Sequence, residues 1–284
     1  MSNVATHNDS KINQLAHQLP EGLVVDAAWM ERKGYSRALR RHYVSAGWLD
    51  QPTSRVYRRG QGPLSWEFVV ISLQTLLELP LIVGGRTALQ VQGVSHYLTQ
   101  HMREVHLYGA SPLPTWVEKL PLDVRFRRHN SERLFYNDPV TRGLTSVGYN
   151  LESKQSWSND SLHGFRQIAW GSWGWPLTIS TPERALLELL DELPNHESFH
   201  QVDKLMESLP NLSPRRLTKL LIDCRSVKVK RLFFFFADRH PHSWRRQLKA
   251  DDFDLGSGNR VLVKGGKLDA RYQITVPEDL DGNA

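Results

Sequence analysis

Positive charge is concentrated in one short stretch near the N-terminus, and this constrains how the stretch can fold. Eight basic residues lie between Arg32 and Arg59, where Asp50 is the only carboxylate. The formal net charge of the whole chain is +6, so this stretch holds more than the entire excess. Such an excess attracts polyanions, and its clustering is typical of nucleic-acid-binding surfaces.

The same stretch has the pattern of two helices joined by a glycine turn. Apolar residues at helical spacing predict a first helix from Val25 to Lys33, which Gly34 ends. Ser36 is placed to cap a second helix that ends near Gly47. A short amphipathic stretch from Ile12 to Leu19 precedes both. The order is that of a helix-turn-helix.

The second helix has an apolar side and a basic side. A step of 100° per residue separates Leu39, Tyr43 and Ala46 from the basic set Arg37, Arg40 and Arg41. We therefore predict that the apolar side packs on a core and that the three arginines face the major groove of DNA. Guanidinium groups there can pair with phosphates and guanine edges.

A wing is predicted after this helix. Trp48 and Leu49 begin a strand, Gln51 to Ser54 reads as a polar turn, and the segment from Arg55 to Arg59 reads as a second strand. The wing arginines Arg55, Arg58 and Arg59 are the candidates for contacts with the flanking DNA backbone or minor groove.

The composition changes at Gln61-Gly62-Pro63, so the sequence predicts a winged helix-turn-helix domain at 1–62 and a second domain at 63–284. The fold class expected for the whole chain is α+β. In the second domain, helix signals follow Ser65, Thr181 and Ser213, and short strands are predicted at 81–83, 105–107 and 124–128. Gly265-Gly266 predicts the turn of a hairpin.

Two motifs suggest chemistry. The HExxH pattern of zinc proteases is matched by His196, Glu197 and His200. These residues are predicted to start a helix whose apolar face leaves the two histidines on an exposed flank. In addition, no third metal ligand has a plausible spacing. We therefore interpret this match as chance and predict no metal site.

The second motif is a strand, Gly84-Gly85 and a helix, which resembles the nucleotide-binding turn of nucleotidyltransferases. That chemistry also needs paired carboxylates on the next strand to hold metal ions. The expected strand reads Val105-His106-Leu107-Tyr108 and has none. If the second domain is related to those enzymes, it should be catalytically empty, so we predict no catalytic residue and no cofactor.

The single cysteine, Cys224, excludes an intrachain disulfide and a cysteine-based zinc finger. No apolar run suits a signal peptide or a membrane span, so we expect a cytoplasmic protein without a membrane partner.

Five segments together resemble the AbiEi-type antitoxins of type IV (abortive-infection) toxin-antitoxin systems. The likeness runs from about Leu15 to Pro277, and the segments are GYSRALRRHYVSAGWLDQPTSRVYRRG, LIVGGRTALQVQGVSHYL, ISTPERALLELLDEL, SVKVKRLFFFFADRH and KGGKLDARYQITVP. The C-terminal segments are the more specific ones, because winged helices are common.

The resemblance implies a protein that represses its own operon through the N-terminal domain and counteracts a nucleotidyltransferase-like toxin through the other. It implies operator DNA with inverted repeats as a partner, and it does not require a stable complex with the toxin. Two alternatives stay open at this point: a metal-dependent nucleotidyltransferase that uses Gly84 and Gly85, and a plain winged-helix regulator with a sensor domain.

Overall fold

The computed structural model describes residues 11–94, 102–137 and 164–281, and these form a mixed α+β structure. The expected α+β class is confirmed in this coarse sense. We call residues 11–62 the N-terminal segment and the described residues from 63 onward the C-terminal segment.

The N-terminal segment alternates helices with a small antiparallel sheet. Its elements are helix α1 at residues 11–18, strand β1 (Val24–Asp26), helices α2 (Ala27–Arg32) and α3 (Arg37–Ser45), and strands β2 (Asp50–Thr53) and β3 (Val56–Arg58). The strand order is β1-β3-β2, with β3 in the centre. Tyr35 and Tyr43 are buried in the core beneath α3.

Two details of this segment differ from the sequence prediction. The predicted first helix begins at Ala27 rather than Val25, because Val24 to Asp26 pair with β3 and the Asp26 side chain caps the helix by accepting a hydrogen bond from the Trp29 amide. The wing turn lies at Ser54 and Arg55 instead of 51–54, since β2 continues through Thr53.

The C-terminal segment is built around a five-stranded mixed sheet. Its elements up to the end of the sheet are α4 (Trp66–Thr75), β4 (Ile82–Val83), α5 (Gly85–Val91), β5 (Glu104–Tyr108), β6 (Arg125–His129), β7 (Phe165–Trp170) and β8 (Trp175–Ser180). The strand order is β6-β5-β4-β8-β7. Strands β5 and β6 run parallel to each other and antiparallel to β4.

Four helices and a hairpin follow. They are α6 (Pro182–Asp191), α7 (Phe199–Glu207), α8 (Pro214–Asp223), α9 (Val227–Arg239), β9 (Lys267–Asp269) and β10 (Ile274–Val276). The predicted starts of α6 and α8 at Thr181 and Ser213 are confirmed. The hairpin turn lies at 270–273, so its prediction at Gly265-Gly266 is wrong; those glycines form the turn before β9.

Helix α4 packs against strands of both segments. The Ser72 hydroxyl accepts a hydrogen bond of 2.8 Å from the Val24 amide in β1. The Gln74 side chain donates to the Thr178 carbonyl in β8 and accepts from the Thr178 amide. The boundary at 62/63 stays a prediction, and it falls in front of a helix that holds the two segments together.

A buried ion pair lies beneath the turn between β4 and α5. The Glu188 carboxylate in α6 accepts hydrogen bonds from the Gly85 amide, the Ser180 hydroxyl and the Arg184 guanidinium, each within 3.0 Å. The Arg184 guanidinium lies between the rings of Phe135 and Phe165, 4.1 and 4.3 Å from their centroids. Burial raises the pKa of Glu188, and the charge of Arg184 opposes that effect.

We predict that replacement of Glu188 by Gln lowers the free energy of unfolding by about 3–5 kcal/mol, because the change removes the carboxylate that is paired with the buried Arg184 guanidinium. R184M should have a similar effect, while R184M/E188Q should cost less than the sum of the two single changes. Urea denaturation measures the free energy of unfolding of the unmodified protein, the two single variants and the double variant. Additive losses would contradict the coupling, and the exposed change E118Q serves as the control.

Candidate nucleic-acid interface

Helix α3 presents a basic, solvent-exposed face. Ser36 caps the helix by accepting a hydrogen bond from the Leu39 amide, as the sequence predicts. The side chains of Arg37 and Arg41 are exposed, and they have no ion-pair partner among the described residues. Tyr43 on the opposite side is buried. The helix therefore meets the core with one side and offers two guanidinium groups to solvent with the other.

Arg40 does not belong to this outer face, and the expectation that it faces DNA is wrong. Its residue exposure is 3%, and its guanidinium donates to the Tyr35 carbonyl at 2.8 Å and to the Glu31 carboxylate at 2.8 Å. Its charge lies 5.7 Å from the centre of the Tyr57 ring. Arg40 therefore anchors α3 to α2 and to the sheet.

The wing arginines also divide into exposed and structural groups. Arg55 is exposed at the turn between β2 and β3, with φ at 64°, and its carbonyl accepts from the Ala27 amide at the start of α2. Arg58 is buried, where it pairs with Asp50 at 2.7 Å and donates to the Gly62 carbonyl. The expected outward position is thus wrong for Arg58.

Arg59 is half-buried and donates to the carbonyls of Ala16 and Leu19 at the end of α1. A lysine or arginine at this point satisfies carbonyls that the helix leaves without partners. Of the six arginines predicted to contact DNA, the structure brings Arg37, Arg41 and Arg55 to the surface of the N-terminal segment.

Sequence reasoning missed two exposed residues of the same surface. His42 is exposed next to Arg41 on α3, and the exposed fraction of Trp48, three residues beyond the helix, is 55%. The 100° step along α3 places His42 nearer to Ala46 than to Arg41, so the helical pattern alone would not have assigned it to the basic side. A partly exposed indole can stack or pack on a partner, but its sequence signal looks like an ordinary core residue.

The Gly84-Gly85 turn is filled by the protein itself. A Cβ atom at Gly84 would lie 2.3 Å from a Glu188 carboxylate oxygen and 2.4 Å from the Tyr108 ring. The Gly85 amide, which a phosphate would use in a nucleotide-binding turn, already donates to Glu188. The glycines are thus required by close packing of an internal carboxylate.

The HExxH residues point to separate partners. The Glu197 carboxylate is buried and pairs with Arg86. The Nδ1 atom of His196 lies 3.0 Å from the Arg127 guanidinium, while His200 lies 3.5 Å from Asp279. No group of three potential metal ligands occurs in the described ranges.

A histidine network occupies the ends of β5 and β6. The His106 and His129 rings stack with centroids 5.1 Å apart, and Nδ1 of His106 lies 3.0 Å from Nε2 of His129. His129 in turn contacts Glu192 at 2.8 Å and stacks on Tyr108. Burial, together with the charge of His129, lowers the pKa of His106 to about 4.

Two family models match nearly the whole chain. Residues 8–100 match a model described as the N-terminal domain of the AbiEi antitoxin, a transcriptional regulator. Residues 102–277 match a model described as a transcriptional regulator, AbiEi antitoxin, of a type IV toxin-antitoxin system. No curated protein gives a significant match.

A solved structure has a similar fold. The RV2827C protein from Mycobacterium tuberculosis superimposes with a TM-score of 0.55 over 95% of this chain and 90% of that chain, at 16% sequence identity. At 16% identity, the similarity is evidence of a shared fold alone. Within the described residues, no helix has the length and apolar character to cross a membrane.

We predict that R40Q lowers the free energy of unfolding by about 1–3 kcal/mol, because it removes the hydrogen bonds to Tyr35 and Glu31 at a buried position. R37Q is the matched control on the same helix, and it should change stability by less than about 0.5 kcal/mol. Urea denaturation of both variants measures the difference. Equal stabilities would contradict the anchoring role of Arg40.

A second prediction concerns the dependence of stability on pH. The pKa of His106 is 6.5 in the unfolded chain, so above this pH the residue is neutral in both the folded and the unfolded state. As the pH falls towards about 4, the unfolded chain takes up a proton that the folded chain does not, which lowers the free energy of unfolding. The decrease in the free energy of unfolding amounts to at most about 3 kcal/mol, at 1.36 kcal/mol per pKa unit. The variant H106Q should lose less stability between pH 6.5 and 4.5 in denaturation series.

The exposed change H17Q is the control for this experiment and should keep the pH dependence of the unmodified protein. If H106Q and the unmodified protein have parallel stability curves across this range, then His106 does not carry the effect.

Proposed function

The chain belongs to the AbiEi antitoxin family of type IV toxin-antitoxin systems, and we propose that it is a DNA-binding antitoxin that represses its own operon. We propose further that it counteracts a nucleotidyltransferase-like toxin and has no catalytic activity of its own. The observation that carries the DNA-binding part is the exposed pair Arg37 and Arg41 on a helix whose other side is anchored in the core.

The order of elements in the N-terminal segment supports a winged helix-turn-helix. In this arrangement the second helix of the pair enters the major groove and the hairpin lies beside it. Helix α3 holds the second position here, and β2 and β3 form the hairpin. Arg37, Arg41 and His42 are then the candidates for contacts in the major groove, and Arg55 is the candidate at the tip of the wing.

The structural arginines support the same proposal indirectly. A recognition helix must be held rigidly if its side chains are to discriminate between bases. The ion pair of Arg40 with Glu31 fixes α3 relative to α2, and the pair of Arg58 with Asp50 fixes the two wing strands. We therefore assign Arg40, Arg58 and Arg59 positioning roles within the DNA-binding unit.

The enzyme alternative has less support. A nucleotidyltransferase would need the Gly84-Gly85 turn for a phosphate, and Glu188 occupies that turn with a negative charge. The neighbouring strand β5 has one carboxylate, Glu104, which pairs with Arg127, and the following residues of the same face are His106 and Tyr108 in place of a second carboxylate. A plain regulator would have no toxin to counteract. Co-expression with the neighbouring gene distinguishes the two proposals, because only an antitoxin would rescue cells from a toxic product of that gene.

The test of DNA binding is the charge reversal R37E/R41E in the full chain. Loss of two base or phosphate contacts should weaken binding to the DNA upstream of the operon by about 100-fold or more in a gel-shift titration. Rescue from the toxin in co-expression should remain, because both residues are exposed and belong to the N-terminal segment.

The matched control is R125E/R166E, which makes the same change in net charge at two exposed arginines of the C-terminal segment. It should bind the operator as the unmodified protein does. Unchanged binding by R37E/R41E, or an equal loss in the control, would contradict the assignment of α3. Binding by the unmodified protein should also weaken steeply with added salt.

A further inference from the structure

A polar cavity of about 410 Å³ lies where β5 and β6 end. Tyr108 and His129, the last residues of these two parallel strands, line its wall, and the end of α6 and the turn after it close the opposite side. Ligands of open α/β sheets commonly bind outside the carboxyl ends of the strands. The volume is in the range of sites for small ligands.

Two cations of the cavity wall lack a counter-charge among the described residues. Arg128 is exposed, and its guanidinium donates a hydrogen bond to the Gly109 carbonyl. Arg133, also exposed, has no side-chain partner in the described part of the chain. Arg127 differs, because its guanidinium is paired with Glu104 at 3.0 Å.

Each carboxylate of the wall has a partner, Asp191 outside the cavity and Glu192 within its wall. Asp191 lies 3.3 Å from the ammonium group of Lys228 in α9, and Glu192 contacts His129. Burial raises the pKa of Glu192, but the hydrogen bond and charge of His129 lower it below its usual value, so this carboxylate keeps its charge in the pair. The cations of the wall without an ion-pair partner among the described residues are therefore Arg128 and Arg133.

Neutral donors complete the wall. The amide groups of Asn130 and Asn195 line the cavity beside the two arginines, and the Asn130 oxygen is used by the Glu132 amide, which leaves its NH₂ group as a donor. Arginine forks match the geometry of phosphate oxygens, and two of them with amide donors suit a group with several acceptor oxygens.

We propose that this cavity binds the phosphate groups of a small, nucleotide-sized ligand. Neither Gly84 nor Gly85 lines this cavity, and no residue of helix α3 does. The proposal does not depend on DNA binding by the N-terminal segment. The chemistry recognised is the phosphate group, whether it comes from inorganic pyrophosphate or from a nucleoside triphosphate.

Calorimetric titration of the full chain with pyrophosphate and, separately, with ATP tests the proposal. We expect saturable binding of at least one of them, with one ligand per chain. The variants R128Q and R133Q should each weaken it by about tenfold or more, the size expected for a charged hydrogen bond. Tighter binding of ATP than of pyrophosphate would indicate that the cavity also contacts the nucleoside; equal binding would indicate a polyphosphate site.

The matched control is R125Q, which removes an exposed arginine from the same strand outside the cavity wall and should bind as the unmodified protein does. Absence of binding by either ligand, undiminished binding by R128Q/R133Q, or an equal loss in R125Q would overturn the proposal. Weaker operator binding by R128Q/R133Q without ligand binding would also overturn it, since the arginines would then serve DNA.

Discussion

The carboxylate of Glu188 is the interaction on which the arrangement of the C-terminal segment depends. It joins the end of β8 through Ser180, the start of α5 through Gly85 and its own helix through Arg184. A buried carboxylate is stable only with such partners, so its position fixes how the central strands meet α6. The same contacts place a negative charge where a nucleotidyltransferase would hold phosphate, which links the packing of this segment to the function we propose.

In the N-terminal segment, arginine has two separate uses. One group donates hydrogen bonds to carbonyls and carboxylates within the fold, and it consists of Arg40, Arg58 and Arg59. The other group remains exposed, and it consists of Arg37, Arg41 and Arg55. Guanidinium groups are suited to both, because each has five donors in a fixed plane. The total charge of the segment is therefore a poor measure of how many arginines a DNA duplex can reach.

The sequence was sufficient where the signal was local. Helical spacing, the capping residues Ser36 and Ser213, and Thr181 in front of a first-turn proline predicted the helices that follow them. The sequence was insufficient where the burial of a side chain depended on its contacts with residues distant in the chain. Arg40 differs by one helical step from Arg41 and lies on the flank nearer to Tyr43, where Glu31 and the Tyr35 carbonyl accept its hydrogen bonds. The cavity at the ends of β5 and β6 joins Arg128 to Asn195 across the fold, and no sequence pattern brings them together.

Helix α4 has a consequence for any attempt to separate the two segments. Val24 and Val56 of the small sheet belong to one apolar cluster with Val69, Leu73 and Leu81. A fragment cut after residue 62 would expose these valines and lose the hydroxyl that accepts from the Val24 amide. The smallest independently soluble piece should therefore extend through α4. In an intact molecule, the same helix joins the large sheet at Thr178 to the strand in front of α2 at Val24.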